Sequence, residues 1–251
     1  MMQDAAQGGV QAIARAARVL RALEAAPDGL ALGELAAAVD LPKSTVHRLV
    51  QALAAEDLVS TGGGGRARLG AGLARLGAAT HGALASALRP ALETLRRDLD
   101  ETADLAVLDG AGVRFIDQLP APHRLRAVSA VGSSFPLHCT ANGKALLAAL
   151  GDERARDLLP PRLERFTAAT ITSRGALLEQ LAEVRRSGVA YDREEHTEGI
   201  CAVAATVSDA GGPVAAISVP VPTQRFTGNE RRYAAAVRSA AASGTALLTG
   251  G

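Results

Sequence analysis

The sequence predicts an α+β chain of two domains: a small helical unit ending in a β-hairpin, then a larger domain built on an antiparallel sheet. Three observations carry this expectation. Three short helical patterns follow one another before residue 56, two extended segments then flank four glycines, and beyond Ala103 short apolar runs alternate with helical ones. With 251 residues, 48% of them hydrophobic, the chain can bury a core in each domain.

Residues 1–9 show no apolar periodicity and are read as a flexible N-terminus. A first helix is expected over residues 10–25, where Ile13, Ala17, Leu20 and Leu23 recur at helical steps along one face. Pro27-Asp28-Gly29 ends it with turn chemistry. A short helix over 32–39 offers Leu35, Ala36 and Val39 to a core, and Asp40-Leu41 turns the chain. Pro42 then opens a third helix reaching about residue 55, with Val46, Leu49, Val50 and Leu53 inward. Residues 58–61 and 66–69 read as the arms of a hairpin around the glycine tip. Leucines at 73, 76, 84, 88, 92, 95 and 99 mark a long helical stretch, which Pro90 is expected to split into a linker helix and a second helix. Strand-like runs follow at 105–108, 113–116, 126–130, 202–207 and 214–219, with helices at 142–150, 175–187 and 229–245.

The opening helices have the parts of a helix-turn-helix. Ala36 is the small residue that lets two helices cross closely, Asp40 stands where the turn needs an unusual backbone, and Val46 and Leu49 anchor the second helix. The outward residues of the third helix are then Lys43, Ser44, Thr45, His47, Arg48 and Gln51. Thr45 or Gln51 can read adenine or thymine features in a major groove, while Lys43 and Arg48 suit phosphate. Arg66 and Arg68 on the hairpin are expected to flank the duplex, with the tetraglycine tip lying against the sugar-phosphate ridge or in the minor groove. The same three helices and hairpin also suit a protein–protein module, which would show no salt-dependent DNA affinity.

Bulk charge adds nothing to this case. The formal net charge is +1, and basic and acidic residues cancel over positions 1–70. Cys139 and Cys201 lack CxxC spacing, which argues against a disulfide scaffold or zinc finger. No basic stretch followed by an apolar one opens the chain and no long apolar run crosses it, so a cytoplasmic protein without a membrane partner is expected. His138 and Cys139 are adjacent on an extended segment and point to opposite faces, which weakens a thiol–base pair. Glu194-Glu195-His196 lacks a further ligand at metal-binding spacing and reads as a solvated charge run, and Lys144 as a surface residue. No catalytic residue, metal or cofactor is expected.

The segment LGELAAAVDLPKSTVHRLVQAL resembles the N-terminal domain of the IclR family of bacterial transcription regulators. IARAARVLRAL resembles that family's first helix, and RLGAGLARLG its wing exit and linker. The likeness runs on through PLHCTANGKALLAAL, ITSRGALLEQLAEVRRSGVAYDREEH and GICAVAATVSDAGGPVAAISVPVPTQRF, in the family's order. Two positions depart from it: Ala67 stands where an aromatic residue is frequent, and Thr206 where proline is.

The resemblance implies a winged helix-turn-helix over 10–70, a linker helix over 71–82 and a GAF-like effector-binding domain over 83–251. It implies a homodimer joined through the N-terminal domain and linker helix, dimers of dimers on operator DNA, and control by a small effector, an organic acid or aromatic metabolite. A repressor is expected. Carried over by motif, the effector-lining residues are Ala127, Phe135, Ala141, Asn142, Asp192, Cys201, Ala202 and Ser218. Thr140 joins them on separate grounds, because Thr140 and Asn142 at a helix start offer donors to a carboxylate; the competing reading is that Thr140 merely caps that helix.

Overall fold

The computed structural model describes residues 2–62, 65–127 and 129–250, with side chains from Gln11 onward. Gly63 and Gly64 of the glycine tip lie outside the described residues. The chain divides into two units, Met1–His81 and Gly82–Gly251.

In the first unit, helices α1 (Met2–Glu24), α2 (Leu32–Ala38) and α3 (Lys43–Ala55) precede strands β2 (Val59–Thr61) and β3 (Arg66–Leu69). A two-residue strand β1 (Leu30–Ala31), too short to carry a sequence signal, pairs with β3 and makes the hairpin a three-stranded sheet of order β1-β3-β2. The helix α1 starts ahead of the apolar periodicity that marks it in the sequence. Val19, Leu23, Leu35, Val39, Val46, Val50, Leu53, Val59 and Ala67 form the core, so Ala67 fills a buried place with a methyl group. Asp40 holds φ 48° at the α2–α3 turn, the left-handed conformation expected there. Leu41 N–H closes the turn onto the Ala36 carbonyl at 3.2 Å. Gly70 is required by contact: a Cβ there would stand 2.1 Å from the Asp57 carbonyl oxygen, beside the turn that ends α3.

Helix α4 (Ala71–Leu99) is a single helix with Pro90 inside it, not the two helices that the proline suggested. An interior proline costs roughly 3 kcal/mol through its lost N–H and its clash with the preceding turn. Leu88, Ala91, Leu92 and Leu95, on both sides of Pro90, are buried in one core, and each leucine contributes roughly 1.5–3 kcal/mol. Packing outweighs the break.

The second unit is built on a six-stranded antiparallel sheet of order β6-β5-β4-β9-β8-β7, formed by β4 (Ala103–Asp109), β5 (Gly112–Leu119), β6 (Ser134–Pro136), β7 (Ala190–Arg193), β8 (Ile200–Asp209) and β9 (Gly212–Pro222). One face packs on α4 and the closing helix α9 (Glu230–Thr249), after the short α8 (Thr223–Phe226). The other face packs on α5 (Ala141–Leu150), α6 (Asp152–Leu158) and α7 (Arg174–Ser187). Alternation along the strands makes this possible: Leu105 and Val107 face the α4–α9 side, and Ala106 faces α5. Thr206 has its own use for a hydroxyl, donating to the Ala145 carbonyl at 3.0 Å. The run 126–130 forms no strand among its described residues. Two of its carbonyls are taken by side chains instead: Thr102 Oγ1 donates to Ala127 O at 2.9 Å, and Gln118 Nε2 to Ser129 O at 2.6 Å.

Candidate functional site

Helix α3 sorts its residues by face. Val46, Val50 and Leu53 are buried, Lys43, Ser44, His47, Arg48 and Gln51 are exposed, and Thr45 is half-buried. No side chain caps the start of α3, so its first N–H groups remain available to an anion beside Lys43. The hairpin arginines behave differently. Arg66 pairs with Glu34 at 3.0 Å and gives Nε and Nη2 to the Gly29 carbonyl at 3.1 and 2.9 Å. Glu34 also accepts the Ala31 N–H at 2.8 Å. Arg68 Nε reaches the Asp28 carbonyl at 3.1 Å. Both guanidinium groups thus brace the hairpin against the α1–α2 turn.

The second unit holds a cavity of about 150 Å³ between the sheet and the start of α5. Asp104 on β4 and Ser218 on β9 are register partners in its floor, and Ala202 and Pro220 are the corresponding pair of β8 and β9. Phe115 and Phe135 meet edge-on at 5.1 Å, and Phe135 stacks on His196 at 4.5 Å, making an aromatic wall. Helix α5 comes close because residue 143 is glycine: a Cβ there would lie 2.3 Å from the Leu137 carbonyl oxygen. Of the sequence candidates, Ala127, Phe135, Thr140, Ala141, Asn142, Asp192, Ala202 and Ser218 line this cavity together.

Cys201 does not. It neighbours Ala202 on β8, so its side chain points through the sheet into the α4–α9 core, 3.5 Å from Thr223 Oγ1. Burial holds its thiol above the ordinary value and pushes the Cys139 thiol up to about 12, so neither is a ready nucleophile. His138 is a satisfied buried histidine, its Nε2 2.8 Å from Glu164 O. Thr140 caps α5, accepting the Gly143 N–H at 3.2 Å and donating to Pro136 O at 2.7 Å.

The cavity's polarity lies elsewhere. Asn142 is 2% exposed, and neither its Oδ1 nor its Nδ2 has a partner. Asp104 accepts Gln118 Nε2 at 2.7 Å on Oδ1, while Oδ2 has none. Asp192 accepts the Glu195 N–H at 2.7 Å. Burial pushes both carboxyls up to about 7, against hydrogen bonds that pull them down. Burial also holds His196 below its usual value, in the uncharged form. Beneath the site Lys144 is fully buried and pairs with Glu195 Oε1 at 2.5 Å, so both the surface reading of Lys144 and the solvated reading of Glu195 are corrected. Asp104, Phe115, Ser129, His196, Thr197, Ile200 and Pro220 are lining residues that sequence reasoning missed. Asp104 had a signal, an acid inside the apolar run ADLAVLD. A larger cavity of about 620 Å³ between α4 and α9 is edged by small residues such as Ala236, Ser239 and Ser243. Among the described residues it holds none of the buried unpartnered polar atoms.

No helix is long and apolar enough to cross a membrane, and no group of three or more candidate metal ligands occurs among the described residues.

Two family models match the chain, the IclR helix-turn-helix domain over residues 12–63 and the C-terminal domain of bacterial transcriptional regulator IclR over 77–244. The HTH-type transcriptional regulator Rv1719 of Mycobacterium tuberculosis is 51% identical over 236 residues, 94% of this chain and 91% of the relative. Transcriptional repressor IclR of Escherichia coli is 33% identical over 253 residues, 98% of this chain and 92% of that one. Among solved structures, an IclR homologue of Microbacterium hydrocarbonoxydans complexed with 4-hydroxybenzoate superposes with a TM-score of 0.63 at 26% identity, covering 94% of this chain and 98% of that one.

Proposed function

The chain belongs to the IclR family of bacterial transcriptional regulators, and from that premise we propose that it represses transcription from an operator gripped by α3 and released when a small molecule fills the cavity beside Asn142. It is a DNA-binding regulator with an effector-binding C-terminal domain, and not an enzyme. The observation that carries the effector site is the cavity itself: about 150 Å³, walled by aromatic rings, with a buried carboxamide that has no partner. A cavity of that volume holds a molecule about the size of benzene. The repressor sense is supported by the E. coli repressor as a relative, and a cytoplasmic location by the need to reach the chromosome.

On DNA, Lys43 and Arg48 grip phosphate while Ser44, Thr45, His47 and Gln51 face the bases. A single winged helix contacts too little DNA for strong sequence selection, so a homodimer reads two half-sites, and dimers pair into tetramers there. Arg66 and Arg68 flank the duplex only with donors not already given to the α1–α2 turn.

The test uses DNA selected by the protein from a random-sequence pool, titrated across salt concentrations. Lys43→Ala and Arg48→Ala should each weaken binding and reduce the salt slope by about 1. Arg66→Ala should instead lower the unit's stability by about 1 kcal/mol in urea melts. Unchanged affinity and slope in both α3 variants would remove DNA binding from this face. Sedimentation should give at least twice the chain mass.

A further inference from the structure

The effector cavity has an acidic lining. Two carboxyl groups, Asp104 and Asp192, and the Asn142 carboxamide open onto a space that holds about one benzene-sized molecule. No arginine or lysine lines it among the described residues. Lys144, buried beneath it, is already committed to Glu195. The histidine of the wall, His196, is held uncharged by burial. Asp104 Oδ2 and Asn142 Oδ1 are fully buried acceptors without donors, Asn142 Nδ2 is a fully buried donor without an acceptor, and the hydroxyls of Ser129, Thr197 and Ser218 complete the polar lining. Thr140, the other donor expected to meet an acid, spends its hydroxyl proton on Pro136 O.

We propose that this cavity takes a small single-ring molecule carrying a hydroxyl or ammonium donor, received by Asp104 and Asp192, and turns away carboxylate anions of the same size. The proposal rests on the cavity being the effector site and narrows the chemistry it accepts. A buried acceptor without a donor leaves a desolvation cost unmet, and a ligand that donates removes it. A carboxylate placed in so small a space brings a third acceptor-only group against two carboxyls, and enters only if a proton comes with it. Burial pushes both carboxyls up to about 7, further than their hydrogen bonds pull them down. The aromatic wall of Phe115, Phe135 and His196 supplies the flat apolar contact for the ring.

The probes are benzyl alcohol, benzylamine and benzoate, titrated calorimetrically into the full-length protein at pH 8. Benzyl alcohol or benzylamine should bind at least tenfold more tightly than benzoate. Asp104→Asn, an isosteric change that removes the charge, should reduce that preference at least tenfold, and Asp192→Asn gives the same test from the opposite wall. Benzoate binding as tightly as the donors, heat from none of the three, or an unchanged preference in both variants would overturn the donor class. Ala202→Phe, which fills the cavity, separates the two claims. Loss of all binding in that variant upholds the site whichever probe wins. Probe binding that survives it removes the site, and the class with it.

Discussion

Asp104 shows how one residue ties stability to pH. It is 1% exposed, and its carboxyl is pushed up to about 7 by burial, so the folded chain holds that proton where the unfolded chain, near 3.8, has released it. The contribution is whole below the unfolded value and is lost as pH rises through about 7, up to roughly 4 kcal/mol for three pK units. Asp104→Asn should therefore gain stability relative to the parent between pH 5 and pH 8 in urea melts. A constant difference at both pH values would refute the buried ionisation. Lys144 and Glu195 are a second case. Lys144→Ala leaves a buried carboxylate alone and should cost about 3–5 kcal/mol, while the double change Lys144→Met, Glu195→Leu should recover most of the loss. Neither residue's role was legible in the sequence, because lysine is by habit exposed and its partner lies far along the chain. Ala36, Asp40 and Val46 were legible, since each answers a local demand of backbone or packing.

At the scale of elements, local rules prevail where a segment packs mainly on itself and fail where neighbours decide. The helix-turn-helix and its hairpin arms stand where short-range chemistry puts them. Helix α4 does not, because its buried leucines override Pro90. Pro90→Ala should restore a backbone hydrogen bond and raise the stability of the second unit by about 1–3 kcal/mol, read as a higher Tm. A fall would mean that the helix geometry depends on the ring. The segment 126–130 fails the other way: its apolar pattern suggests a strand, but Thr102 and Gln118 take the carbonyls of Ala127 and Ser129. Strand alternation explains the misplaced Cys201. Once β8 commits Ala202 to the cavity, its neighbour must face the other core, a consequence visible only when the register is known.

Over the whole molecule, two family models account for most of the chain in the order in which its motifs occur. The division into a reading unit and a sensing unit was legible because each has its own periodicities. The character of the cavity was not, since its polar groups come from β4, α5, β7 and β9 and meet only in the fold. Asp104 on the first strand of the sheet and Ser218 on the last are register partners, although the rest of the domain's strands separate them in the chain. Such distant pairings close late and slowly, because loop entropy must be overcome before they are rewarded. A nascent chain still lacking β9 therefore has no floor for its cavity. On the ribosome, the first unit has emerged long before the two strands of that floor can pair.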